Sequence, residues 1–144
     1  MTSNIRLVDA TPTEVWEVLA DGWLFPTWVV GASRMRDVTD DWPAPGARLH
    51  HSVGVWPALL DDSTEVLAAD PGKELRLKAR AFPAGAAEVI ITLQTEGAQT
   101  RIKIDEVVVD GLARLVPPVV ESAAMKWRNT ETLRRLAYVV EGRT

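Results

Sequence analysis

LARLVPPVVESAAMKWRNTETLRRLAYVVE, residues 112–141, is the stretch around which the chain has to be organised. No other segment is long and regular enough for a major helix, and Pro117-Pro118 marks its start or a kink near it. Val119, Ala123, Trp127, Thr130, Leu133, Ala137 and Val140 recur at three- and four-residue steps and form one stripe. Glu121, Arg128, Glu131, Thr132 and Arg135 are left on the other side. A helix with one apolar stripe must lay that stripe on something. Nearly everything before it reads as strand, so the stripe is expected to cover a sheet.

The strands lie immediately upstream. Thr100 to Val109 sets Ile102, Ile104 and Val108 against Arg101, Lys103 and Asp105, and Gly111 ends the run. Before it, Glu88 to Thr95 points Val89, Ile91 and Leu93 one way, and Glu74 to Phe82 alternates Leu75, Leu77, Ala79 and Ala81 with Arg76, Lys78 and Arg80. Thr64 to Ala69 is a further strand. In Arg48 to Trp56, Leu49, His51, Val53 and Val55 share one face, opposite His50, Ser52 and Trp56. Asp70-Pro71-Gly72, Pro83-Ala84-Gly85 and Glu96-Gly97-Ala98-Gln99 punctuate these runs, as turn chemistry requires. Short strands with such turns describe an antiparallel meander with one dry face and one wet face. The basic row Arg76, Lys78 and Arg80 reads as part of the wet face.

Further back, Asn4 to Val8 alternates Ile5 and Leu7 with Asn4 and Arg6, the period of a short half-buried strand. Thr11-Pro12-Thr13-Glu14 is a helix start: hydroxyl at the cap, proline at the first helical position, acid in the first turn. Asp21-Gly22 stops that helix. Trp23 to Val30, broken by Pro26 and closed by Gly31, predicts a second short helix or helical turn. Met35 to Val38 is extended, and residues 40–46 form a proline- and glycine-rich turn.

Composition bounds the partners. The 144 residues suit a single domain spanning 1–144, with 47% hydrophobic and 25% charged residues, the soluble globular range. A net charge of -4 argues against nucleic acid and anionic lipid surfaces as partners. The absence of cysteine removes disulfides, thiolate metal sites and a cysteine nucleophile. No run reaches the roughly 20 apolar residues needed to span a bilayer, and no signal peptide is legible, so a cytoplasmic location without membrane insertion is expected. No phosphate-binding loop, dinucleotide fingerprint or nucleophile elbow appears, and no cofactor is expected.

The order strand, two short helices, strand meander, long C-terminal helix resembles the START-like, or SRPBCC, superfamily and its Bet v 1-like helix-grip fold. Residues 11–21 (TPTEVWEVLAD) look like the family's opening helix, and Pro26-Thr27-Trp28 like the proline-x-tryptophan after it. Ser63 to Leu67, Asp70 to Leu75, Gly97 to Ile102 and Asn129 to Leu136 look like its strand, turn and closing-helix signatures, so the likeness spans almost the whole chain. It is strongest to the polyketide cyclase/dehydrase-like branch. The resemblance implies an α+β fold: a seven-stranded antiparallel sheet wrapped around the long helix, with a cavity between them for a hydrophobic ligand. Activities vary widely within such a fold, so the fold alone names none.

Two polar groups stand out on the expected dry face. His51 shares parity with Leu49 and Val53, and Glu106 with Ile102, Ile104 and Val108. If they met across the cavity, the carboxylate would orient the imidazole as a general base. The alternative is that each is satisfied separately by backbone or water. His50 and His51, the two histidines, face opposite sides of a strand, which argues against a metal site. Trp16, Trp23, Trp28 and Trp127 fall near the expected mouth, as core or as stacking surfaces, with Trp127 the expected pocket wall. Outward Trp56 leaves a homodimer open.

The expected binding set is therefore Trp28, Leu49, His51, Val53, Leu77, Ile91, Ile104, Glu106 and Trp127, around a small hydrophobic or aromatic molecule, lipid-like or polyketide-like. Two alternatives stay open. One is a metal-free cyclase or dehydratase using His51 as base and Glu106 as its orienting group; the other is a ligand-free structural or partner-binding domain.

Overall fold

The computed structural model describes residues 2–30, 32–53, 60–81, 85–110 and 117–143. The expectations for Trp56, Gly31, Pro83-Ala84 and residues 111–116 lie outside these residues. Seven strands, β1 (Thr2–Val8), β2 (Ala32–Val38), β3 (Arg48–Val53), β4 (Leu60–Asp70), β5 (Glu74–Ala81), β6 (Gly85–Glu96) and β7 (Gln99–Asp110), form one sheet. Its order is β1-β7-β6-β5-β4-β3-β2, and every pairing is antiparallel. Between β1 and β2 come the helices α1 (Pro12–Leu19) and α2 (Phe25–Trp28), separated by a single 3-10 turn at Gly22–Leu24. The long helix α3 (Pro118–Gly142) closes the chain. This is the Bet v 1-like helix-grip fold.

Local chemistry explains the early helices. Thr11 caps α1 by accepting from the Glu14 N–H, while the Glu14 carboxylate accepts from the Thr11 N–H, a reciprocal pair that satisfies two donors the helix itself leaves open. Pro26 falls in the first turn of α2, where its missing N–H removes nothing. At Gly22 the chain passes close against β2 and β3. A Cβ there would lie 2.6 Å from Leu49 Cδ2 and 2.8 Å from Val38 Cγ1, so no larger residue fits without displacing them.

The core lies between the sheet's inner face and the C-terminal half of α3. Leu133, Leu136, Ala137 and Val140 are buried with Val8, Val15, Leu19, Leu75, Ile91 and Ile102. Leu49 and Val66 belong to the same cluster.

Two expected faces are reversed. On β1 it is Thr2, Asn4 and Val8 that are buried, whereas Ile5 and Leu7 are 49% and 45% exposed. The cause is register. Asn4 sits opposite Ile104 and Arg6 opposite Ile102, and residues directly opposite in an antiparallel pair share a face, so β7's inward isoleucines fix β1's parity. The buried Asn4 amide is compensated by donating to Lys126 O at 3.0 Å and Thr130 Oγ1 at 2.9 Å on α3.

On α3 the expected stripe holds only in its second half. Val119 and Trp127 are 82% and 70% exposed, and the inward residues of the first half are Met125, Asn129 and Thr132. At about 100° per residue, Trp127 lies half a revolution from the fully buried Leu136, nine positions on, while Met125, Asn129 and Thr132 fall within about 40° of it. Once Leu136 is anchored, Trp127 must face out. Ser52, expected on the wet face of β3, is buried at 3% exposure.

Candidate functional site

Between α2, the inner sheet face and the first half of α3 the structure leaves a cavity. Phe25, Trp28, Val29 and Val30 close one side. The sheet contributes Thr64 from β4, Leu77 and Ala79 from β5, Val89 and Ile91 from β6, and Ile104 and Glu106 from β7. Arg128, Asn129 and Thr132 of α3 complete it. The non-atom space is about 510 Å³ including its opening to solvent, of which about 80 Å³ admits the centre of a water-sized sphere. A single water needs only about 10–15 Å³ of centre-accessible volume, so the space is larger than a packing defect. Most of its walls are hydrocarbon or aromatic. Phe25 and Trp28 meet edge to face at 5.2 Å, which holds both rings in place against the sheet.

The cavity exists because the inward side of α3 changes character along its length. From Leu133 onward its side chains are large and apolar and fill the space against the sheet. One turn earlier they are Arg128, Asn129 and Thr132, which reach sideways to polar partners instead of filling the centre. Glu106 is 4% exposed and takes both of its partners from this helix. Arg128 Nη2 bridges the two carboxylate oxygens, and Asn129 Nδ2 donates to Oε1 at 3.0 Å. Arg128 supplies the counter-charge to this buried carboxylate, with its own side chain 39% exposed. Thr132 Oγ1 accepts from the Val30 N–H at 3.2 Å, tying the segment after α2 to α3.

His51 and Glu106 do not pair, since the carboxylate is engaged by Arg128 and Asn129, and each is satisfied separately. His51 is buried one layer behind the cavity wall. Its Nε2 lies 2.9 Å from Thr64 Oγ1, and its ring stacks on Phe25 at 5.6 Å with 28° between planes. Both of those neighbours line the cavity; the imidazole does not.

Of the other expected binding residues, Trp28, Leu77, Ile91, Ile104 and Glu106 line the cavity. Leu49 is in the core against Gly22, away from it. Trp127 is on the solvent side of α3 and is no pocket wall, for the helical-phase reason given above. Val53 lies on β3, with its side chain outside the described ones. Of the other tryptophans, Trp23 is 57% exposed and Trp16 packs at the edge of the core.

Apart from Glu106, sequence reasoning misses the polar residues of the lining. The helical pattern places Arg128 and Thr132 on the outer side of the helix, and Thr64 reads only as the start of a strand. The available signal was the spacing Met125, Asn129, Thr132, Leu136, which continues the C-terminal apolar face at helical steps but through polar residues. Among the described residues no three His, Asp or Glu side chains gather as a metal-binding group, and no helix is long and apolar enough to cross a membrane.

Comparison with known proteins agrees with this architecture. A sequence model of the family described as "Polyketide cyclase / dehydrase and lipid transport" matches residues 3–141. No curated protein sequence matches. Among solved structures, protein NE0264 from Nitrosomonas europaea superposes with a TM-score of 0.75 at 17% identity, covering 98% of this chain and 94% of that one. Ara h 8.0201 superposes with a TM-score of 0.74 at 11% identity, covering 97% and 96%. The di-domain ARO/CYC StfQ from the steffimycin biosynthetic pathway gives a TM-score of 0.74 at 10% identity, with 98% of this chain matched to 50% of that one. At these identities the likeness speaks to fold.

Proposed function

The chain belongs to the polyketide cyclase/dehydrase and lipid transport family, and from that premise we propose that it binds a small hydrophobic or aromatic molecule in the cavity between α2, the sheet and α3. The supporting observation is the cavity's composition: a wall of Leu77, Val89, Ile91, Ile104, Phe25 and Trp28 with a few polar groups at one side. Removing an apolar guest from water contributes roughly 25 cal/mol per Å² buried, so such a wall supplies affinity while the polar groups supply orientation.

The test is native mass spectrometry of protein purified from its own host, beside Ile104→Trp, which fills the centre of the space. A retained small molecule in the wild type that is lost from Ile104→Trp is the expected result. No retained mass, together with no change in tryptophan fluorescence across a panel of aromatic and fatty compounds, sinks the reading.

Catalysis is a second reading, favoured by one observation. The His51 Nε2 contact to Thr64 Oγ1 puts the imidazole one hydroxyl away from the cavity. A base in that position acts on a guest only through Thr64, and Glu106 has no orienting part in it. Turnover abolished by both His51→Ala and Thr64→Val, with guest affinity retained, identifies an enzyme of the cyclase or dehydratase type. Affinity and turnover falling together favour a binding module.

A further inference from the structure

The cavity as it stands is tight for a ring-sized guest. The space that admits the centre of a water-sized sphere is about 80 Å³, whereas an apolar cavity that holds one benzene ring measures about 150 Å³. A guest of that size or larger is enclosed only if a wall gives way. The sheet wall is fixed, because each of its strands, β4 to β7, is paired with a neighbour on both sides. The α3 wall is held by Leu133, Leu136 and Val140 in the core, and beside the cavity by Asn4 reaching Lys126 O and Thr130 and by Asn129 reaching Glu106.

Residues 25–30 are held differently. Among the described residues, a single hydrogen bond joins them to α3 or the sheet, from the Val30 N–H to Thr132 Oγ1 at 3.2 Å. The helix inside this segment, α2, has four residues and no side-chain cap at its start. Trp28 Nε1–H is buried with no acceptor among the described residues, and a donor in that position gains a partner when the segment moves out into water. The chain just before the segment is anchored. Gly22 lies against Leu49 and Val38, Asp21 Oδ1 accepts from the Trp23 N–H at 3.2 Å, and the Trp42 indole donates to Leu19 O at 3.1 Å.

The geometry points to residues 25–30 as a lid over the cavity: it pivots at the 3-10 turn, where the chain is anchored, and is fastened at its far end by the Val30–Thr132 hydrogen bond. A guest enters when that bond parts and Phe25 and Trp28 swing away from α3. This deepens the proposed function and rests on the same cavity being a binding site. A guest that enters only the open form associates at a rate set by the open fraction, so weakening the fastening speeds its entry.

The experiment follows uptake of N-phenyl-1-naphthylamine, a neutral dye that brightens in apolar surroundings, by stopped-flow fluorescence. Uptake lost from Ile104→Trp marks binding in the cavity. The double variant Val30→Cys with Thr132→Cys fastens the lid covalently, and because the natural chain has no cysteine, oxidation within one molecule can form only this bond. The oxidised protein is expected to take up the dye at least about tenfold more slowly than the same protein after reduction. Thr132→Val removes the acceptor and is expected to raise the association rate about three- to tenfold over wild type, the span of one net hydrogen bond. Thr132→Ser keeps the acceptor and should stay within about twofold of wild type. Amide hydrogen exchange gives a reading that needs no guest: Thr132→Val should speed exchange at Val29 and Val30 by more than at Ile104, which sits between two paired strands.

If the oxidised protein, its bond verified by thiol titration, takes up the dye as fast as the reduced form, the guest enters by another route and the lid is overturned while the cavity reading stands. The same holds if Thr132→Val changes neither the association rate nor the exchange at Val30. If the wild type and the reduced variant bind neither the dye nor any compound of the fluorescence panel, the cavity reading falls and the lid with it.

Discussion

The residue on which the polar side of the site turns is Glu106, a carboxylate 4% exposed and paired with an arginine whose side chain is 39% exposed. Removing Arg128 leaves that buried charge with Asn129 alone. Arg128→Met is therefore expected to destabilise the fold by about 1–3 kcal/mol in urea unfolding. The double variant Arg128→Met with Glu106→Leu should regain most of the loss, because replacing both partners by apolar groups removes the stranded charge. A double variant no more stable than Arg128→Met alone contradicts that account. Glu106 was legible in the sequence through its parity with Ile102 and Ile104. Its partner was not, because the choice between His51 and Arg128 depends on which element crosses above β7, and strand alternation carries no information about that.

At the scale of elements, the termini of α1 were readable and the phase of α3 was not. Thr11, Pro12 and Glu14 specify the start of α1 through contacts within four residues of one another, so the local sequence is enough. For α3, two overlapping stripes compete at helical spacing, and the one running through Val119 and Trp127 faces solvent over its first half and is buried only from Leu133 onward. Tertiary anchoring of Leu133, Leu136 and Val140 decides the phase. The loop before α2 shows a similar dependence. Gly22 stops α1 in the sequence reading, yet its tightest constraint is the approach of Leu49 and Val38, at 2.6 and 2.8 Å from where a Cβ would stand. Gly22→Ala is accordingly expected to cost about 1–3 kcal/mol, the range for overpacking a filled interior. An unchanged unfolding midpoint would show that the 3-10 turn can shift freely away from β3.

For the molecule as a whole, a sheet curled around a helix that leaves a cavity beside its first half is a fold with room left over, and its stability should respond to what enters. A guest that binds only the folded protein, held at about 100 times its Kd, adds about 2.7 kcal/mol. In a chain of this size that raises Tm by roughly 5–10 °C. Scanning calorimetry with an aromatic compound that binds in the fluorescence panel should show this rise in the wild type and lose it in Ile104→Trp; a rise of equal size in both proteins places the binding elsewhere. By itself, the sequence determined the order of strands and helices, the inward faces of β5, β6 and β7, and the capped start of α1. Those properties follow from period and turn chemistry, which act over a few residues. Only the tertiary structure decided that Asn4 rather than Ile5 faces inward, that Trp127 faces out, and that Arg128, Asn129 and Thr132 border the cavity with Trp28. Each of these depends on the register of one element against another far away in the chain, and a register is selected by the packing of all the elements together.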